Sequence, residues 1–112
     1  MPTKAERDRV LVLESIDYCE AIIETIEGVT FEQFMQDKVV RAAIERWLSI
    51  LGEASKRFSD DFRGDNQQIP WSKVRSMRNY LVHEYHRVDF AATYTAATEH
   101  VPVLLEELRM LV

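Results

Sequence analysis

The 112-residue sequence holds one cysteine, Cys19, only three glycines and three prolines, and no charge-free stretch long enough to span a bilayer. One cysteine cannot close an intrachain disulfide, and no Cys-x-x-Cys or Cys/His cluster accompanies it, so a disulfide scaffold and a zinc module are both excluded as starting points. So little glycine and proline argues against a turn-rich sandwich, a collagen-like chain or a low-complexity segment. The charged start, Lys4 to Arg9, is not a secretory leader, and a cytoplasmic protein of a reducing compartment, free of the membrane, is expected. Positive charge is also in deficit. Fourteen Lys and Arg against 19 Asp and Glu leave a net charge of −5, which argues against indiscriminate polyanion binding. Any nucleic-acid role needs a local basic site.

What the chain does have is helical periodicity. With 46% hydrophobic and 29% charged residues, its length suits one domain, residues 1–112, around one core. A first helix is expected from about residue 4 to 27, opened by a Thr3/Glu6 capping box and closed by Gly28. Val12, Ile16, Cys19, Ile23 and Ile26 share one face of it, which makes Cys19 a core residue, with only Asp17 and Glu20 as charged neighbours in sequence. Thr30 and Gln33 offer a second capping box for a short turn, and Asp37 then caps a long helix. The stripe of that helix is Val40, Ile44, Trp47, Leu51, Ala54 and Phe58, while Val39, Ala43 and Ile50 widen its apolar surface towards a second interface. Gly52 costs about 1 kcal/mol of helix propensity relative to alanine, a cost with a purpose if another backbone must come close there.

Residues 59–69 carry the chemistry of a long loop around Gly64, Asp65 and Asn66. Pro70 then opens a third helix, with Trp71, Val74, Met77 and Leu81 inward and an end after His83. Asp89 caps a fourth helix that keeps one apolar face through Leu111, with a kink or break expected near Glu99 to Val101 because of Pro102. His100, beside that kink, reads as structural. Four amphipathic helices on short connections make an all-α, up-down four-helix bundle the economical fold.

The charge runs against the rest of the chain in one place. Residues 70–87 carry Lys73, Arg75, Arg78 and Arg87 against Glu84 alone, and His83, His86, Tyr80 and Tyr85 lie in the same stretch. The groups able to hold a phosphate and move a proton are gathered there. At about 100° per residue from Val74, His83 falls opposite the core face and Arg78 at its margin, where packing can hold a guanidinium whose donors remain available.

Arg78-Asn79-Tyr80-Leu81-Val82-His83-Glu84-Tyr85 reads Arg-x4-His-x-Tyr and resembles the motif of the HepT toxins, members of the HEPN superfamily of helical ribonuclease domains. Ile50-Leu51-Gly52-Glu53-Ala54 is similar to the family's Ile-Gly-Glu-Ala element, with Leu51 where isoleucine is common. Ile69-Pro70-Trp71, Met77-Arg78-Asn79, His83-Glu84-Tyr85 and Val88-Asp89 follow in family order, and Pro102 sits in a leucine-rich terminal helix, so the likeness covers nearly the whole chain. It implies the toxin of a toxin-antitoxin module: a homodimeric, metal-independent endoribonuclease without cofactor, partnered by a minimal nucleotidyltransferase antitoxin. It implies Arg78 and His83 as catalytic residues, Asn79 as helper, and Tyr85 as the tyrosine that the partner modifies with AMP. Lys73, Arg75, His86 and Arg87 are the expected RNA contacts around them.

The chemistry suits such a role. RNA carries its own nucleophile in the 2′-hydroxyl, so cleavage needs a group of near-neutral pKa and a cation on the phosphate. His83 and Arg78 are of those types, and a second copy of His83 across a two-fold axis supplies the complementary acid or base. Asn79, one turn before His83, can orient the imidazole or donate to phosphate. AMP on Tyr85 would set a negative phosphate and a bulky base beside both. The rival reading is a non-catalytic helical partner that docks a nucleotidyltransferase or binds nucleotide. A metal site at His83-x-x-His86 with Glu84 and Asp89 lacks a further ligand element, and a helix-turn-helix DNA reader fits poorly with an acidic chain.

Overall fold

The computed structural model describes residues 1–78 and 89–112, and all regular structure among them is helical. Helix α1 runs Lys4–Ile26 and ends as the sequence predicts. Thr3 accepts from the Glu6 N–H at 3.1 Å, and Gly28 takes a φ of +73°, where a side chain would be strained. The Thr3/Glu6 pair makes only half of a capping box, because the Thr3 hydroxyl donates to the Glu6 carboxylate. The full box forms at α2, Phe31–Gln36, where Gln33 N–H donates to Thr30 Oγ1 and Thr30 N–H to Gln33 Oε1. Asp37 caps α3, Lys38–Arg57, through the N–H groups of Val39 and Val40.

The core lies between α1, α3 and the C-terminal helical run. Leu11, Val12, Ile16, Cys19, Ile22 and Ile26 of α1 meet Ile44, Leu48 and Leu51 of α3 and Val101, Leu104 and Leu108 near the C-terminus. On α3 the buried centre is Ile44, Leu48, Leu51 and Ser55, and Trp47 of the expected stripe lies half-buried at its edge. Ile44, Leu51, Ala54 and Phe58 of the expected stripe are buried, and Leu48 and Ser55 beside them widen the buried face while Val40 and Trp47 stay at its margin. Val39 of the proposed second interface is exposed, and Ala43 and Ile50 are half-buried.

Residues 59–69 depart from the expected loop. They contain α4, Asp60–Asp65, capped by the Ser59 hydroxyl on Phe62 N–H. A six-residue helix has no intrinsic stability to speak of, and this one is fastened from elsewhere. Buried Asp8 of α1 accepts from Ser59 N–H at 2.9 Å and from the Ser59 hydroxyl at 2.6 Å, and Arg63 donates to the carbonyls of Ser55, Lys56 and Phe58. Phe58 and Phe62 stack at 4.8 Å, with Trp71 edge-on to both.

Helix α5, Trp71–Ser76, starts directly after Pro70 and buries Val74, with Met77 buried just beyond it. The expected continuation through Leu81 to His83 lies outside the described residues. Asp89 caps α6, Phe90–Thr95, by accepting from Ala92 N–H at 3.0 Å. Ala96–His100 then form a π-turn in which Val101 N–H reaches back to the Ala96 carbonyl, and α7, Val101–Arg109, follows. The interruption predicted from Pro102 is therefore present as a π-turn rather than a break: the missing proline N–H is absorbed by one widened turn. The Tyr94 hydroxyl donates to the Val29 carbonyl at 2.6 Å and its ring meets Phe31 and Phe34, which ties α6 to α2. No helix among the described residues is long and apolar enough to cross a membrane.

Candidate functional site

The basic stretch of the sequence meets α3 at Gly52. A Cβ built on Gly52 would lie 2.8 Å from both the backbone nitrogen and the Cβ of Arg78, and 3.2 Å from the Arg75 carbonyl oxygen. Real Cβ atoms do not approach so closely, so only glycine admits this packing. The backbone approach anticipated from the cost of Gly52 is thus that of residues 75–78.

The next residue of the same turn completes the contact. Arg78 Nη1 donates to Glu53 Oε1 at 2.7 Å, in an ion pair whose side chains are 33% and 55% exposed. Arg78 holds the Glu53 carboxyl below the ordinary range, chiefly through this hydrogen bond. Glu53 uses one terminal nitrogen of a planar group with five donors, so the guanidinium is oriented yet keeps capacity for a phosphate. Arg78 stands at the margin of the buried face, as the helical wheel predicts, with buried Val74 and Met77 on its inner side. Glu53 had no place among the expected site residues. Its signal was its position beside Gly52, the glycine that marks the contact.

Lys73 and Arg75 are exposed on α5. Arg75, one turn before Arg78, lines a pocket with Ser55, Lys56, Arg63 and Trp71. Asn79, His83, Tyr85, His86 and Arg87 lie outside the described residues. Of the described residues on either side, Arg78 is held by Gly52 and Glu53, and Asp89 by its bonds to Ala92 and Thr93. Cys19 is fully buried, and burial, with a contribution from Glu20, pushes its thiol up to about 12, so it is no nucleophile. Among the described residues no group of three or more His, Cys, Asp and Glu converges to hold a metal ion.

The chain is similar to proteins already grouped and named. The family described as Ribonuclease HepT-like matches residues 15–111. A protein of Thermococcus cleftensis, named a probable ribonuclease HepT, is 38% identical over 95 residues, which cover 79% of this chain and 86% of that one. A candidate RNase of Caldanaerobacter subterraneus is 34% identical over 91 residues, 81% of each chain. A candidate RNase of Methanocaldococcus jannaschii is 28% identical over 107 residues, 95% of this chain and 98% of its own. No solved structure matches the chain.

Proposed function

The chain belongs to the HepT-like ribonuclease family of the HEPN superfamily, and from that membership we propose that it is an endoribonuclease acting as the toxin of a toxin-antitoxin module. The observation that carries the reading is Arg78: a guanidinium oriented by Glu53 at the surface, packed on Gly52, and standing at the start of the Arg-x4-His-x-Tyr motif.

In the proposed reaction the RNA 2′-hydroxyl attacks the adjacent phosphorus. The new bond is 2′-O–P, the bond to the 5′-oxygen breaks, and the products are a 2′,3′-cyclic phosphate and a free 5′-hydroxyl. One His83 takes the proton of the 2′-hydroxyl, and a second copy, supplied by a homodimer, returns one to the leaving oxygen. Arg78 stabilises the charge that gathers on the phosphoryl oxygens, where it is worth more in the transition state than in the bound substrate. Asn79 orients the imidazole or the phosphate. No metal or cofactor takes part.

Silencing falls to Tyr85, two residues beyond His83. A partner nucleotidyltransferase transfers AMP from ATP to its hydroxyl and releases pyrophosphate, which adds a negative phosphate and a bulky base two residues along the chain from His83 and so opposes RNA by charge and occupancy. The binding-only alternative, in which Arg78 merely holds a nucleotide or docks the partner, draws on the net charge of −5.

RNA cleavage in EDTA separates the two. Cleavage by the wild type that is lost in both Arg78→Ala and His83→Ala is the expected result. Undiminished cleavage by His83→Ala defeats the mechanism, and no cleavage by the wild type favours the binding-only reading. With the nucleotidyltransferase and ATP, the mass of the chain rises by whole AMP units, and Tyr85→Phe abolishes the rise. A rise that persists in this variant places the modification on another residue.

A further inference from the structure

Beside Arg78, where the end of α3 meets α4 and α5, lies a pocket of about 270 Å³ lined by Ser55, Lys56, Arg63, Trp71 and Arg75. Among the described residues its three cations come from three different helices and no carboxylate lines it, in a chain where acidic residues outnumber basic ones by 19 to 14. The local charge is thus opposite to that of the molecule.

Each lining residue has a distinct part. Arg63 is a fixed cation: Nη1 donates to the carbonyls of Ser55, Lys56 and Phe58 at 3.2, 3.4 and 2.9 Å, while Nη2 pairs with Asp60, whose side chain is almost wholly exposed and lies outside the lining. These bonds cover the carbonyl end of α3, which would otherwise present partial negative charge to an incoming anion. Lys56 and Arg75 are exposed and, among the described residues, make no ion pair. The indole N–H of Trp71 is used on the Asn66 carbonyl at 3.1 Å, and its ring is held edge-on by Phe58 and Phe62, so what it offers the pocket is a rigid aromatic wall. Arg75 is three residues before Arg78, and the Arg75 carbonyl and the Arg78 nitrogen both meet α3 at Gly52, so the pocket adjoins the Arg78 site.

We propose that Lys56, Arg63, Arg75 and Trp71 form a second RNA subsite that takes one nucleotide flanking the scissile phosphate, its phosphate on the cations and its base against the indole. The subsite rests on the reading of the chain as an RNA-cleaving enzyme and adds to it a grip on single-stranded substrate. Cations with an aromatic wall bind backbone and base with little regard to sequence, because every base has a π-face.

The test uses 2′-O-methyl oligoribonucleotides of two and six residues, which lack the attacking hydroxyl and stay intact. They are titrated into the full chain while the indole N–H resonances of Trp47 and Trp71 are followed, and affinity is measured across a salt series. The hexamer is expected to move the Trp71 resonance more than the dimer does. Lys56→Ala and Arg75→Ala are each expected to weaken the hexamer at least fivefold and to flatten its salt dependence by about 0.7 in log–log slope, the contribution of one phosphate contact on a single strand. Lys56→Arg keeps both affinity and slope. A hexamer that binds with the Trp71 resonance unmoved, or with equal affinity and slope in the alanine variants, overturns the subsite and leaves the nuclease reading standing. A chain that binds neither oligonucleotide overturns both.

Discussion

Gly52 and Arg78 meet backbone against side-chain root: a methyl group on the glycine would sit 2.8 Å from both the nitrogen and the Cβ of the arginine. Two helix segments are brought as near as they can come at the residue whose guanidinium the proposed chemistry needs. On propensity alone Gly52→Ala should stabilise α3 by about 1 kcal/mol. The packing predicts the reverse, a net loss of about 1–3 kcal/mol, or roughly 4–12 °C in melting temperature. Thermal unfolding by circular dichroism checks the sign, and RNA cleavage is expected to fall with it because Arg78 is displaced.

Glu53 is held below the ordinary carboxylate range by Arg78. Its ion pair therefore contributes stability that is present above the unfolded-state pKa and is lost as pH falls through the lower folded-state value. Following the Glu53 side-chain carboxyl by NMR through an acid titration should give a low midpoint in the wild type and one returned to the usual range in Arg78→Ala. Glu53→Gln keeps an acceptor but loses the charge, and cleavage is expected to drop about tenfold or more with the fold intact, as a misplaced catalytic group does.

Asp8 and Ser59 join positions 51 residues apart through two hydrogen bonds. Asp8→Ala leaves the Ser59 N–H and hydroxyl without that partner, at a cost of about 1–3 kcal/mol. Denaturant unfolding measures the loss. Amide hydrogen exchange should show it concentrated in α4, with Asp8→Asn intermediate.

Cys19 is raised to about 12 by burial, with Glu20 adding to it, from an ordinary value of 9.0. A raised folded-state pKa means that its contribution to stability is whole below the unfolded value and declines as pH rises from about 9 towards 12. Melting temperatures across this window should fall less steeply in Cys19→Ala than in the wild type. At neutral pH a thiol reagent should label the folded chain only after denaturant is added, whereas rapid labelling of the native protein would contradict the burial.

The helix ends were legible because their chemistry is local. Thr30 with Gln33, Asp37, Asp89 and Gly28 each act within three residues of themselves, and each stands where the sequence predicts. Helix α4 was not legible, since Gly64 and Asn66 speak for a loop and what fastens the helix comes from Asp8 and from the carbonyls of α3. The site divides the same way. The position of Arg78 at the edge of the core face follows from a helical wheel, but its partner Glu53 is 25 residues away, and the meeting of Lys56, Arg63 and Arg75 exists only in three dimensions. Gly52 falls between: its cost was visible, and its reason needed the neighbouring backbone.

The π-turn at Ala96–His100 makes one rod serve two clients. A widened turn inserts a residue's worth of rotation, about 100°, so the apolar side of the rod changes compass bearing partway along. Before the turn, Tyr94 looks to α2, and after it, Leu104 and Leu108 belong to the core shared with α1. An unbroken α-helix of the same composition would keep a single bearing and leave one of these neighbours without a partner. Pro102 thus works as a phase shifter, and through it α6 can turn to α2 while the C-terminal leucines stay seated on α1.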